Sequence, residues 1–486
     1  MGTVHQFPVK RNRLSPEEED LIRALRRVVD AKAGPEASFA EREELALAAA
    51  NDATKGCLRL DLEEIIASHE ELVEVEGTIY RRHQPGTVKY YSLCGSMEFE
   101  RWTYRQCGVR NGPTIVPLEL QAGLVEQCTP ALGARIALGY AKDHMRSCAE
   151  DMLADHRCAP SRSTLERTAK RLGSAARELA PSVTPVLRAE EHVPEGAASI
   201  SVGLDRTSVP MEEDVPEGEE PSGRRRKRSK PYQRAKPERI DVNYRMAYVA
   251  TLSFHDADGE TLLTRRYAAA AHDDPRKQLV EPLTADLRKS LTNSPSLEVG
   301  IVQDGAPELW NLLEPVRSQL PSVNWHEAID RYHLSERFAK ILRATEADGA
   351  TRKATLSRWN DNLDKDDGAI DEIHGWVESL FMDGLNRDDW DLVDALDDHL
   401  TYLDNNKDRM RYTEQLRLGL PVGSGITEAA CKSVIKKRTN DSGQRWRPKG
   451  LDAVLTLRSL QMSERLPRFW KHLMARHRKP VLPAVA

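Results

Sequence analysis

Ser199–Asp205, reading SISVGLD, decides how the rest of the chain is understood. Ser199–Leu204 has the character of a short buried strand, and it runs straight into a carboxylate. Downstream, Tyr244–Phe254 (YRMAYVATLSF) alternates like a strand, and His255–Gly259 supplies a turn into a third strand, Thr261–Tyr267. A helix is expected over Pro275–Leu291. A fourth strand, Leu297–Gln303, ends at Asp304 and leads into a helix over Glu308–Leu320. The apolar run His326–Ile329 forms a fifth strand, ending at Asp330 with His333 three residues on. Strands alternating with helices call for an α/β fold, and sites in such sheets gather at strand ends. Asp205 and Asp304 occupy two such ends.

A third acid comes from Pro421–Leu460, PVGSGITEAACKSVIKKRTNDSGQRWRPKGLDAVLTLRSL. Gly423-Ser424-Gly425 makes a turn. The spacing of Ala429, Val434 and Ile435 then predicts a helix with Ser424 or Thr427 as N-cap. Glu428 lies in its first turn and is followed by Lys432, Lys436, Lys437 and Arg438, then by Arg445, Trp446 and Arg447. Taken alone, Glu428 does no more than favour the positive end of the helix dipole. Beside Asp205 and Asp304 it has a second reading, because three gathered carboxylates repel one another unless a divalent cation lies between them. An all-oxygen site of this kind suits Mg²⁺ or Mn²⁺ rather than zinc. Two such ions can activate an attacking oxygen and stabilise a leaving one in phosphoryl transfer. Asp330 has a bland alternative as the cap of the next helix. A serine hydrolase built on Gly-Ser-Gly is excluded for want of a GxSxG elbow after a strand.

Between the first two strands, Pro210–Asp241 begins acidic and becomes GRRRKRSKPYQRAKPER. Arg224, Arg225, Arg226, Lys227 and Arg228 there form either a solvated loop or a clamp on a nucleic-acid backbone. Upstream the chain is mainly helical, with candidates in Glu17–Val29, Phe39–Ala49 and Asp61–Val75. Short strands follow between Gly77 and Arg105. Cys94 and Cys107 flank the last of these, but one pair cannot fill a four-ligand zinc site. Pro130–Leu153 reads as one long amphipathic helix. After it, CAPSRSTLERTAKRLG reads as the later helix of a helix-turn-helix, capped by Ser161 or Ser163 and presenting Arg162, Arg167, Lys170 and Arg171. Pro181–Gly196 reads as a linker. Residues 345–415 carry no strand signal and are expected to be a helical insertion.

The chain has 486 residues, enough for about three domains. Its net charge of -5 argues against nucleic acid, yet the positive charges are bunched. No apolar run approaches a membrane span, and the first twenty residues lack the apolar core of a signal peptide. Seven scattered cysteines without a CxxC pair suit a reducing compartment, so a cytoplasmic protein with no membrane partner is expected.

Several pieces carry a family resemblance: VGLDRTSVPM, NYRMAYVAT, QDGAPELW, AIDRYHLSER and PVGSGITEAACKSVIKKR…SGQRW…AVLTLRSL, spread over residues 195–470. They resemble the DDE transposases of bacterial insertion sequences, in particular the ISKra-like group. The resemblance implies an α/β fold with an RNase H-like mixed-sheet core and a helical insertion, preceded by a mainly helical DNA-binding region. It divides the chain into an N-terminal segment with a small β element (1–110), a helix-turn-helix-like region (111–190), the first part of the core (195–345), the insertion (346–415), the final core helices (416–470) and a tail (471–486). The family's catalytic, metal-holding acids fall on Asp205, Asp304 and Glu428, and its Asp-x-x-His on Asp330 and His333. Implied partners are the double-stranded DNA of the element's ends and its target, with the protein working as a homodimer or larger assembly at the nucleoid. Trp446 would stack on an unpaired base near the cut, its alternative being simple packing. Within the same fold the competing function is a nuclease that does not join strands. Outside catalysis it is a DNA-binding regulator derived from a transposase.

Overall fold

The computed structural model describes residues 14–156, 158–215, 240–270, 272–345, 348–440 and 444–484. The basic run Arg224–Arg228 lies outside the described residues. The chain forms two compact units. One takes the residues up to Ile136, Met145–Thr168 and those from Met474 on; the other takes Ala137–His144 and Ala169–Leu473. Residues 111–190, expected as one region, are therefore shared between the two units.

The first unit opens with two helices, Pro16–Lys32 and Phe39–Ala67, each started by a capping box, Ser15 with Glu18 and Ser38 with Glu41. Phe39–Ala67 is continuous because nothing stronger than Gly56 interrupts a run of good helix formers. The segment after it, LVEV, alternates instead and forms β1 (Leu72–Val75). An antiparallel sheet follows through β2 (Thr78–Ser92), β3 (Gly95–Gln106) and β4 (Thr114–Ile115), with Leu482–Pro483 on the other edge of β1. Two strands expected separately are fused in β2, whose irregularity falls at Arg82–Gln84 rather than at a turn. Tyr90, Met97 and Phe99 from this sheet pack with Leu62, Leu118 and Leu124. Cys94 and Cys107 flank the twelve residues of β3. At about 3.4 Å per residue the thiols stand roughly 40 Å apart, so they cannot share a zinc ion.

The predicted helix Pro130–Leu153 is broken at Asp143–His144 into Pro130–Lys142 and Met145–His156. Arg162–Glu190 then runs for 29 residues straight through the expected linker, with Pro181 and Pro185 inside it. Its buried stripe Leu172, Ala176, Leu179, Val183 and Leu187 repeats at helical spacing, and burying that stripe outweighs two prolines. The Ser182 hydroxyl, between the two prolines, donates back to the Leu179 carbonyl.

The second unit is built on a five-stranded mixed sheet: β5 (Ser199–Asp214), β6 (Ile240–His255), β7 (Thr261–Ala269), β8 (Glu298–Gln303) and β9 (Trp325–Ile329). Their order is β7-β6-β5-β8-β9. β5, β6 and β7 are antiparallel neighbours, whereas β8 runs parallel to β5 and β9 parallel to β8. Helices Glu281–Asn293, Pro307–Gln319 and Arg331–Thr345 pack with this sheet around Ile200, Val202, Leu252, Leu283, Ile301, Leu313 and Phe338. The insertion is helical as expected, with Gly349–Leu363, Ala369–Asn386, Trp390–Asn406 and Thr413–Arg417.

One strand boundary differs from the sequence reading in a way that matters. β5 does not stop at Asp205 but continues to Asp214, paired with β6 throughout. β8 accompanies it only over Ser199–Val202, so the rest of β5 has a bare side where Pro210 costs no ladder bond. Trp446 partly occupies that side, donating its N–H to the Pro210 carbonyl at 3.0 Å and accepting from Glu212 N at 2.8 Å.

Candidate active site

Asp205 lies on β5 just beyond the point where β8 leaves it, and Asp304 follows the last residue of β8 directly. Parallel strands thus bring two acids to one edge of the sheet, as their spacing in the sequence implied. Asp304 Oδ1 accepts from Ala306 N at 2.9 Å and its carbonyl accepts from Trp310 Nε1 at 2.9 Å, which fixes the entry to helix Pro307–Gln319. Gly305 is required there because any Cβ would overlap the ring of Tyr402 from the insertion.

Glu428 arrives on helix Gly425–Ala430, seated directly on the sheet. A Cβ at Gly203 would lie 2.9 Å from the Val302 carbonyl oxygen and closer still to Thr427 Oγ1. Gly203, two residues before Asp205, therefore lets this helix reach the strand. Thr427 Oγ1 also meets Thr251 Oγ1 of β6 at 2.7 Å. Beyond Ala430 the helix widens into a π-turn, Cys431–Lys436, a local feature common at functional sites. A π-turn leaves carbonyls unpaired, and buried Arg458 donates to those of Ser433 and Val434. Burial lowers the Arg458 pKa to about 10, and the charge of Arg438 adds to the effect.

Asp205 is half-buried, and its pKa is raised, first by burial and then by the charges of Asp304 and Glu428, against hydrogen bonds from Arg206 N and the Cys431 thiol. Burial together with Asp205 pushes the Cys431 thiol up to about 12, so it stays protonated and donates. Two of the predicted acids, Asp304 and Glu428, thus act on the third, Asp205. The tightest grouping, however, is Asp330, His333 and Glu428, whose ligand atoms lie within 4.8 Å of one another. His333 Nδ1 is 3.1 Å from Asp330 Oδ1 and 3.9 Å from Glu428 Oε1.

Asp330 takes the capping role weighed for it and makes one further bond. It caps helix Arg331–Thr345 by accepting from His333 N at 2.8 Å, and its other oxygen accepts from Ser424 N, which opens the Glu428 helix. Burial would raise its pKa, but the bonds from Ser424 and His333 overcome this and hold it below the usual carboxylate value. For His333 burial favours the neutral ring, yet Asp330, Glu428 and Asp304 together raise its pKa. Ser424 is the expected N-cap by position, but its hydroxyl turns to Glu428 Oε1 at 3.3 Å instead of to the backbone.

Lys432, Lys436, Lys437, Arg445 and Arg447 are exposed, with Lys432 Nζ 3.4 Å from Glu428 and Arg447 paired to Glu212. The other two proposed DNA contacts are corrected by their burial. Arg438 is buried, donating to the Tyr140 carbonyl with its guanidinium against the Tyr140 and Trp446 rings. Trp446 is only 9% exposed, its indole N–H directed to the Thr439 carbonyl, so it cannot receive a base. In the helix-turn-helix-like segment Arg162, Arg167, Lys170 and Arg171 are exposed, the first two paired with Glu166 and Glu126.

Sequence reasoning missed Cys431 and Arg458, and gave Ser424 only as a helix cap. Cys431 had a signal, since it lies three residues after Glu428 and so on the same helix face. Arg458 had none, because its partners are backbone carbonyls, of Ser433 and Val434 in the π-turn and of Ala141 and Lys142 far away in sequence. No protein-family model matches the chain, and no curated protein matches it. Among the described residues no helix is long and apolar enough to cross a membrane.

Proposed function

We propose that the protein is a DDE transposase with an RNase H-like core, which cleaves DNA at the ends of a mobile element and joins them to a target. One observation carries this reading. Asp205, Asp304 and Glu428, distant in sequence, come to one edge of the sheet, where burial and then the charges of the other two acids raise the Asp205 pKa. The element order expected from the sequence (strand, hairpin, helix, strand, helix, strand, acid-bearing helix) recurs in the second unit and supports it.

The donor set fits Mg²⁺ or Mn²⁺: Asp205, Asp304 and Glu428 offer only carboxylate oxygens, and no arginine pairs with them among the described residues. When bound, the ions would supply activation of the attacking oxygen and stabilisation of the leaving one. The chain's own residues do the positioning. Asp330 ties the start of the Glu428 helix to the end of β9, so the third acid is held in register with the first two. His333 shares its charge between Asp330 and Glu428. Lys432, Lys436 and Lys437 line the face of the same helix, where they can neutralise DNA phosphates.

The test incubates purified protein with labelled terminal-repeat DNA and a supercoiled target, with Mg²⁺ or with EDTA. Joined products that vanish with EDTA and in Glu428→Gln are expected. Metal-dependent cuts without joining would assign a nuclease instead, and binding with neither would assign a DNA-binding regulator.

A further inference from the structure

The burial of Trp446 leaves the site without the stacking residue expected there, while another aromatic stands free beside the acids. Tyr332 is 68% exposed, the second residue of helix Arg331–Thr345, directly after Asp330 and directly before His333. Both neighbours are pinned. Arg331 bonds Asn360 and Asp364 and lies over the Tyr412 ring, and His333 is held by Asp330. Among the described residues the Tyr332 ring has one aromatic contact, a T-shaped one with His333 at 6.4 Å between centroids and 83° between planes, and its hydroxyl makes no hydrogen bond. Its helix start is fixed by the Asp330 cap, so the ring sits on rigid backbone with a face open to solvent.

We propose that Tyr332 is a stacking platform for an unpaired nucleobase next to the phosphate being cut, and so sets a preference for DNA that is frayed or single-stranded at that point. This rests on the reading of the site as a DNA phosphoryl-transfer centre. His333 bridges the distance: its imidazole touches Glu428 at 3.9 Å on one side and meets the Tyr332 ring on the other. The ring therefore lies within roughly 10 Å of Glu428, about three nucleotide steps at the ~3.4 Å rise of one strand. Aromatic faces accept any base, so the preference is for strand state rather than for sequence. An exposed ring fixed on a helix start also loses little freedom on binding.

The experiment uses the full chain carrying Glu428→Gln to prevent turnover, and two DNA probes. One is a blunt duplex with a fluorescent adenine analogue paired near its end. The other has the same analogue in a short single-stranded 3′ extension. The parent protein is expected to quench the unpaired analogue, and Tyr332→Phe to do so equally. Tyr332→Ala should lose the quenching and bind the extended probe about 5- to 100-fold more weakly, with binding of the blunt duplex unchanged. An alanine variant that quenches and binds the extended probe like its parent overturns the role of Tyr332 alone. A parent protein that binds neither probe overturns the reading of the site, and Tyr332's role with it.

Discussion

Two regions of the second unit gather carboxylates, and they treat them in opposite ways. In one, Glu191 and Asp286 are enclosed by Arg188, Arg265, Arg465 and Arg468. Arg465 bonds both acids at 2.6 Å, and Tyr267 donates to Asp286 at 2.5 Å. Burial favours the protonated acids, but Arg465 and its neighbours reverse this, and both pKa values fall below their usual ones. In the other, burial raises the Asp205 pKa and the charges of Asp304 and Glu428 raise it further, with no arginine pairing to it among the described residues. Desolvation acts on both clusters, and the counter-charge decides the sign. A paired cluster holds the fold together. The other, here called unpaired because no arginine meets it among the described residues and only Lys432 and His333 approach Glu428, would under the proposed function keep its negative charge for a cation.

Substituting one acid of the unpaired cluster should produce the largest effect on activity. Asp205→Asn is expected to lower DNA cleavage about 1,000-fold or more, as a several-kcal/mol loss of metal-assisted stabilisation requires, while DNA binding stays intact or tightens. Gel-shift and cleavage assays on one preparation separate the two, and retained cleavage would break the comparison. The paired cluster should answer in stability. Arg465→Met leaves Asp286 and Glu191 buried without their main partner, an expected loss of about 3–5 kcal/mol in urea unfolding; a loss near zero would mean the arginines are ornamental.

The two clusters should also respond to pH with opposite sign. Asp286 and Glu191 have lowered pKa values in the folded state, so their contribution is full above the unfolded values and is lost as pH falls through the folded ones. Asp205 has a raised value, so its ionisation opposes folding at neutral pH and that cost disappears on acidification. The stability difference between Asp205→Asn and wild type should therefore shrink as pH drops through the carboxylate range, whereas the Arg465→Met deficit should shrink only once Asp286 and Glu191 are protonated. A smaller effect tests how the third acid is delivered. Gly203→Ala forces a methyl between β5 and Thr427, with an expected cost of about 1–3 kcal/mol and a fall in cleavage as the Glu428 helix is displaced. Full cleavage in that variant would show that Glu428 reaches the site some other way.

Much of this site was legible in the sequence. Asp205, Asp304 and Glu428 stood out because each lies on or directly after an element whose type could be read from local pattern, although β5 runs on past Asp205. Asp330 and His333 followed from a three-residue spacing on a helix start. What stayed hidden depended on long-range contacts. β5 continues past Asp205 because β6 runs beside it and Trp446 fills the side that β8 leaves, and neither partner is visible in SISVGLD. Pro181 and Pro185 read as a linker, since a buried stripe outweighs prolines only once something is there to bury it. Arg438 and Trp446 looked like DNA contacts by composition, yet each finds its partner in the protein: a backbone carbonyl and each other's side chain. Tyr332 drew no notice between two more conspicuous residues, and only its exposure sets it apart.

The claim that the unpaired acids form one divalent-ion site is tested most directly by titrating Mg²⁺ or Mn²⁺ into the DNA-free protein and following thermal unfolding. The account predicts a saturable stabilisation of the wild type, about 2.7 kcal/mol when the ion is at 100 times its dissociation constant, which is absent in Asp205→Asn and Glu428→Gln and retained in Arg465→Met. Equal stabilisation of wild type and Asp205→Asn would contradict it, and would mean that the three carboxylates share an edge of the sheet without sharing an ion.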